Sequence, residues 1–483
     1  MLKRYTYCVL VLVLLTGMVA GCNKDFLELK PEQATETKNA IKDLPGLRAA
    51  ISGVYSLMQN ENYYGRTVPL LPDLRADNGF ISVINNNRYR NQDQYIVTAN
   101  DVYTTDTWNL LYSVVANANM VIQYGPHIFL LPAATDSVEA KQIVAEAYAI
   151  RALVFFDLSR LYAQPYNRTA DASHMGIPLV TTTNIDSVQS PSRSTAKQTY
   201  DQIISDLRTA ISRFEESKST AFSSGRINIY SAAALLSRVL LYKEDWAGAE
   251  KYADTVINEN KYKLLESEAL TADFSKTGNS ETIFEVINTP VDNRGADALS
   301  YMFSQDGYGD VLATDDLFNI YAAKDVRLGF LKRDKRAGNG GENPANIITK
   351  YKDVTMFSEG IKVIRLAELY LIRAEARAHL EKDPQAQADL NRIVSRADPG
   401  AIPVVATGPA LLRAIAMERR KELAFEGHRL FDLVRTTASF TKYLASNKTI
   451  AVALPGTKII LPIPQRELDA NPNIRHQQNE GYN

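Results

Sequence analysis

Two cysteines among 483 residues leave almost no thiol chemistry to place. Cys8 lies inside an N-terminal apolar segment and Cys22 closes it, so no cysteine remains for a disulfide or a thiolate metal site. Stability must then come from packing, and the length could hold more than one core. Histidine is also scarce: His127, His174, His379, His428 and His476 are scattered, with no HExxH or other metal-ligand spacing. The chain lacks a Walker A motif, GxSxG and CxxC, and Gly307-Tyr308-Gly309 lacks the third glycine of a dinucleotide loop, so it reads as a turn. No cofactor site follows from any of these patterns. Charge of one sign is missing too, with 54 Lys and Arg against 55 Asp and Glu. Without a long basic block, nucleic acid is not an expected partner. After residue 22 no stretch approaches the length of a membrane span.

What is present begins at the N-terminus. Lys3 and Arg4 precede an apolar run over 9–15 that loosens towards Ala20, which has the layout of a secretory signal. It ends Val19-Ala20-Gly21-Cys22, which resembles a lipobox, where the cysteine is acylated and residues 1–21 are removed. A plain signal peptide with a chance cysteine is the alternative. Removing 1–21 takes away two basic residues and no acids, leaving 52 against 55 and a formal charge of −3. Acyl chains on Cys22 would hold an otherwise soluble body at a membrane surface. Residues 22–40, polar and containing Pro31, read as the tether, and Lys24-Asp25 weakly resembles a signal for export to the cell surface.

Residues 41–483 read as one body. A helix is expected over 44–58, and helical spacing returns over 108–124 and 136–161. The most readable unit is 232–260. Ala234, Leu235, Val239 and Tyr242 share one helix, Glu244-Asp245 breaks it, and Trp246, Ala249, Tyr252, Ala253 and Val256 share the next. This spacing resembles the turn and second helix of a tetratricopeptide repeat, with small residues where the helices cross. Residues 145–162 with 199–214, and 364–380 with 386–395, repeat the plan without a fixed period, so a regular solenoid is not expected. Two regions are irregular, 60–106 and 262–351, the second containing expected strands at 281–287 and 347–351.

The most distinctive stretch is Ile415-Ala-Met-Glu-Arg-Arg-Lys-Glu-Leu-Ala-Phe-Glu-Gly-His-Arg-Leu-Phe-Asp-Leu-Val-Arg435. As one helix it would carry Ala416, Leu423, Ala424, Leu430, Phe431 and Val434 on a stripe. Its many charges form either a solvated face or buried pairs, and Arg419 with Glu422 has the spacing to meet. Leu461-Pro-Ile-Pro-Gln-Arg-Glu-Leu-Asp-Ala-Asn-Pro-Asn473 follows as an apolar strap between prolines, within a cap over 455–483. Together the two runs resemble the SusD/RagB family of outer-membrane nutrient-binding lipoproteins, as Tyr321-Ala-Ala-Lys-Asp-Val-Arg327 also does. The resemblance implies a mostly α fold of tetratricopeptide-like helix pairs (a SusD-like α-α superhelix) with a loop-rich part containing short strands. It implies a lipid-anchored protein facing the cell exterior that captures an oligosaccharide or polysaccharide, or a peptide. The implied partner is a SusC-like TonB-dependent transporter, and no catalysis is implied.

Residue chemistry alone leaves other classes open. Ser194-Thr-Ala-Lys197 and Lys276-Thr277-Gly278 match fragments of penicillin-binding enzymes, but no S-D-N lies between them and Ser194 or Thr195 reads better as a helix cap. A secreted glycoside hydrolase needs only two carboxylates placed by the fold, and a repeat scaffold would bind proteins through its helices. The binding reading rests on aromatics. Sugars pack C–H faces on rings, each contact giving on the order of 0.5–1.5 kcal/mol by analogy with aromatic pairs, so several must act together. Of 25 tyrosines, Tyr148, Tyr162, Tyr242, Tyr252 and Tyr370 fall on helices and read as core, and Trp108 as a packing anchor opening its helix. The loop residues Tyr63, Tyr64, Tyr89, Tyr301 and Tyr308 are the ligand candidates, with Asp77, Asn78 and Arg88 beside them as hydrogen-bonding groups; Asp77 and Asn78 equally suit a turn.

Overall fold

The computed structural model describes residues 41–130, 134–183, 190–219 and 222–482. The signal segment, Cys22 and the tether over 22–40 lie outside the described residues.

Helix α1 (Leu44–Met58) has the boundaries its period predicts. Asp43 caps it by accepting from Gly46 N, Pro45 sits in the first turn, and Leu47, Ile51, Val54 and Met58 recur on the buried face. A short helix α2 (Thr67–Leu74) is buried along its whole length. Helix α3 (Val102–Tyr124) starts earlier than the expected 108, because Asp101 caps it on Thr104 N. Trp108 therefore lies within the helix and packs edge-on against Tyr162 at 4.9 Å. Helix α4 (Ala134–Tyr162) packs against α5 (Ala196–Ser217), which opens with a capping box between Thr195 and Gln198. That box accounts for the Ser-Lys motif, since Lys197 only pairs with Asp201 at the surface.

The expected repeat-like unit is present as α6 (Ile229–Tyr242) and α7 (Trp246–Ile257). Ala232, Ala234, Ala249 and Ala253 are fully buried where the helices meet, and Asp245 caps α7 on Gly248 N. Helix α8 (Leu366–His379) pairs with α9 (Asp383–Ala397); residues 364 and 365, expected within the helix, end a strand instead. That strand, Ile361–Arg365, runs antiparallel to Thr282–Val286. Four short strands, β1 (Gly79–Ile81), β2 (Val311–Ala313), β3 (Leu331–Asp334) and β4 (Ala345–Ile348), form an antiparallel sheet in the order β1-β2-β4-β3. Phe80 faces Leu312 across it, and Leu312 faces Ile347. Both tyrosine-rich regions are therefore joined at one sheet.

The run 415–435 is not one helix. It divides into α10 (Gly408–Glu422), a turn, and α11 (Arg429–Arg435). Phe425 and Gly427 both take positive φ, at +63° and +81°. A Cβ on Gly427 would stand 2.7 Å from the Val68 carbonyl oxygen, so the close approach as well as the conformation requires glycine. Asp73, on α2, fixes the turn by accepting from Phe425 N at 2.8 Å and Gly427 N at 3.0 Å. The break also rotates the stripe: Leu423, Ala424, Leu430, Phe431 and Val434 are buried, but Ala416 is exposed.

Most of the charges in this run are buried, in pairs other than the expected one. Arg419 bonds Asp432, while Glu422 accepts from Arg365 at 2.6 Å, Arg396 at 2.5 Å and Arg327 at 2.9 Å. Arg365 grips Glu426 through Nε and Nη2 and reaches Glu281 at 2.6 Å. Lys350 bonds Glu426 at 2.6 Å, and Arg327 is held by Asp325 and Glu418. Burial alone would push the Glu422 carboxyl up, but Arg396, Arg365 and Arg327 together hold it well below the usual range. The strap over 461–474 closes the structure. Leu461 N bonds the Leu161 carbonyl and Gln465 N that of Ala99, while Ile459 and Ile460 cover Leu430, Leu433 and Val434. A core extends continuously from Ile41 to Ile474. Among the described residues no helix is long and apolar enough to cross a membrane.

Removing one carboxylate from a buried cluster strands its cations. Glu422→Gln is expected to destabilise the fold by roughly 3–5 kcal/mol in urea denaturation, whereas Lys197→Ala should leave the midpoint unchanged. His428, buried beside Arg238 and Glu368, is driven by burial down to about 4. A base depressed in the folded state contributes stability above its unfolded value near 6.5 that is lost as pH falls from there towards 4. Asp73, raised by burial to about 6, has the opposite sign over part of this window. A His428→Gln comparison isolates the imidazole: between pH 7 and 5 wild type should lose on the order of 2 kcal/mol more than the variant.

Candidate functional site

Five of the eight candidate ligand residues are structural, which corrects the expectation of an exposed tyrosine-rich loop. Every residue from Tyr63 to Gly79 is buried, because this segment packs its apolar side chains into the main core and its Asp73 against the turn at 423–427. Tyr63 and Tyr64 both donate to Asp157 Oδ2, at 2.8 and 3.0 Å, leaving no ring face for a ligand. Burial first, and the Asp157 charge second, raise both phenols well above the ordinary value, so they stay protonated donors. Tyr89 is also fully buried, in a left-handed backbone conformation, with its hydroxyl on Arg66 Nε and Thr67 Oγ1. Asp77 and Asn78 do more than form a turn. Asp77 takes both prongs of Arg429 at 2.7 and 2.8 Å, and Asn78 bridges Arg420 to Asp73.

The other three, Arg88, Tyr301 and Tyr308, are brought together. Pairing of β1 with β2 places the loop after residue 81 beside the turn at 304–310, and Ser82 N bonds the Asp310 carbonyl at 2.8 Å. Within that turn Tyr308 N donates to the Tyr301 carbonyl at 2.8 Å. A Cβ on Gly307 would lie 2.7 Å from that same oxygen, so glycine allows the two tyrosines to approach. Their rings meet edge to face at 4.6 Å. Arg88 sits over the Tyr308 ring, with Cζ 3.4 Å from its centroid, and is oriented by a 2.9 Å bond from Nη1 to Asp310.

Sequence reasoning missed the rest of this face. Phe357 extends the arc, its ring 5.9 Å from Tyr301. Tyr103, hidden in a helix thought to start later, stacks on Tyr89 at 4.0 Å and lies within the electrostatic reach of Arg88. Arg336 packs behind, donating to the Tyr308 carbonyl at 2.7 Å, and Gln305 accepts from Ala337 N at 3.0 Å. Tyr103, Tyr301, Tyr308 and Phe357 are all half-buried, so each keeps part of a ring in solvent. Burial raises the Asp310 carboxyl, and Arg88 opposes that rise. The result is an open aromatic arc with one guanidinium at its centre.

A deeper hollow lies elsewhere. A cavity of about 770 Å³ opens among α6, α7, α8, α10 and α11, walled by Trp246, His379, Leu412, Met417 and Leu433. Trp246 and His379 stack there at 3.8 Å, and the buried charges of its floor pair with one another, Arg435 with Glu375 and Arg419 with Asp432. The charges lining this hollow are already spent on one another, which favours the arc. Among the described residues no group of three His, Cys, Asp or Glu side chains is arranged to hold a metal ion.

Comparison with known proteins agrees with this architecture. Residues 347–482 match the SusD family and residues 25–241 a family described as starch-binding associating with outer membrane. A curated relative, SusD-like protein P2 of Formosa agariphila, is 25% identical with full coverage of both chains. A SusD superfamily protein from Bacteroides thetaiotaomicron superposes with a TM-score of 0.80 at 28% identity, over 89% of this chain and 98% of that one. Another from Bacteroides vulgatus gives 0.80 at 28% identity, over 91% and 99%. The chain is a SusD-like protein, with the mostly α architecture of that superfamily.

Proposed function

We propose that this protein captures a glycan at the outer face of the outer membrane and hands it, uncleaved, to a TonB-dependent transporter. The observation that carries the reading is the arc of Tyr103, Arg88, Tyr308, Tyr301 and Phe357, each half-buried and keeping part of its side chain in solvent. Rings in a row suit successive sugar units, and a guanidinium among them can fix hydroxyls. The starch-binding description of the matching family supports the same cargo class. Acylation of Cys22, with residues 22–40 as a tether, would supply the anchor. The helix pairs, which carry none of the arc residues, are the natural surface for the transporter, which leaves the loops to face the cargo. Loss of co-purification with a transporter only after loop mutations would contradict that division.

The test is calorimetry of the lipid-free chain from Asn23 against a panel of glycans and peptides, with each mixture assayed for cleavage. Saturable binding of one glycan class without products is expected. Tyr301→Ala and Tyr308→Ala should each weaken it roughly tenfold, about 1.4 kcal/mol, while Tyr63→Phe lowers the melting temperature and leaves affinity unchanged. Cleavage products, or binding indifferent to both arc tyrosines, would overturn the reading.

A further inference from the structure

We infer that the glycan taken by this face is anionic, carrying carboxylate or sulfate groups that Arg88 reads. The inference rests on the capture reading and adds the charge of the cargo. Around the arc, hydrogen-bond donors exceed acceptors. Arg88 spends one N–H on Asp310, and among the described residues its Nε and Nη2 have no acceptor, although its side chain is only 22% exposed. Arg336 is buried against the carbonyls of Ala337, Ile84 and Tyr308 with no carboxylate bonded to it, and its Nε is unpartnered. Gln305 Nε2 is buried and unpartnered as well. One carboxylate, Asp310, thus faces two guanidiniums.

The other carboxylates nearby leave the surplus of donors in place because their oxygens are already bonded: Asp101 accepts from Thr104 N and Gln92 Nε2, and Asp353 from Met356 N and Ser358 N. Glu342 is committed to Ser82 Oγ and Val83 N, at 2.8 and 2.7 Å. Asp306 is exposed, as is Lys335, and Arg90 is half-buried. Asn85 Oδ1 is an unpartnered acceptor, set against the several free donors. The guanidinium covers one face of Tyr308, and its Nε and Nη2 are the N–H groups left for a ligand. A planar N–H fork matches the geometry of a carboxylate or sulfate. The chain as a whole does not attract anions, since its formal charge is −1. Affinity for an acidic polymer must therefore be local.

Titration of the purified full chain with polygalacturonate, dextran sulfate and neutral dextran tests this. At least one acidic polymer should bind ten times more tightly than dextran and weaken several-fold between 50 and 300 mM salt; which one binds separates carboxylate from sulfate. Arg88→Met, which keeps the stem on Tyr308, should lose at least tenfold for that polymer, and Arg88→Lys should recover part of it. Equal binding of dextran, or an Arg88→Met variant that binds the acidic polymer unchanged, would overturn the inference. Binding of dextran alone, lost in Tyr308→Ala, would overturn it and leave capture standing. Silence with all three polymers would overturn it too, and capture itself falls only if the wider panel is silent.

Discussion

The structure depends on where Glu422 puts its charge. Its two oxygens satisfy three guanidiniums drawn from distant stretches: Arg327 from the irregular region, Arg365 at the entry to α8, and Arg396 near the end of α9. Taking so many ions out of water is costly, and their attraction in a low dielectric roughly offsets that cost. The cluster is therefore better understood as a device for position than as a source of net stability. Each partner has one arrangement in which every charge is met, and that arrangement docks the irregular half of the chain onto the helix pairs.

From that anchor the ligand-facing part is built outward in short steps. The turn after α10 is tied by Asp73 to α2, and Asp77 and Asn78 tie α10 and α11 to the chain entering β1. Strand β1 then pairs with β2, and the loops flanking those strands carry Arg88 and Tyr308. A few hydrogen-bonded links thus separate the buried charges from the open aromatic arc. Loops held this way can present rings rigidly, which limits the entropy lost on binding a flexible polymer.

Much of this was legible in the sequence, for reasons that differ by element. Helix α1 and the pair α6–α7 were readable because their period, caps and small crossing residues are local features. The run 415–435 carries the family resemblance, but its apolar period predicts one helix where the fold has two. Its break depends on Gly427 meeting Val68, a contact between residues far apart in the chain. Arg419 and Glu422 have the spacing to pair, but each finds a better partner from elsewhere. The same blindness to distant partners made Tyr63, Tyr64, Tyr89, Asp77 and Asn78 look available. Irregular backbone usually runs over the surface, whereas here the segment 63–79 is interior. Arg88, Tyr301 and Tyr308 lie together in the fold, but nothing local in the sequence places one on the face of another.

The most direct test of this account is hydrogen exchange on Arg365→Met, which removes the cation shared by Glu281, Glu422 and Glu426. Protection should fall together in the buried segment 63–79, the turn at 304–310 and the run 415–435, with α6 and α7 unchanged. Loss confined to the neighbourhood of residue 365 would contradict the claim that the charge cluster holds the ligand-facing loops in place.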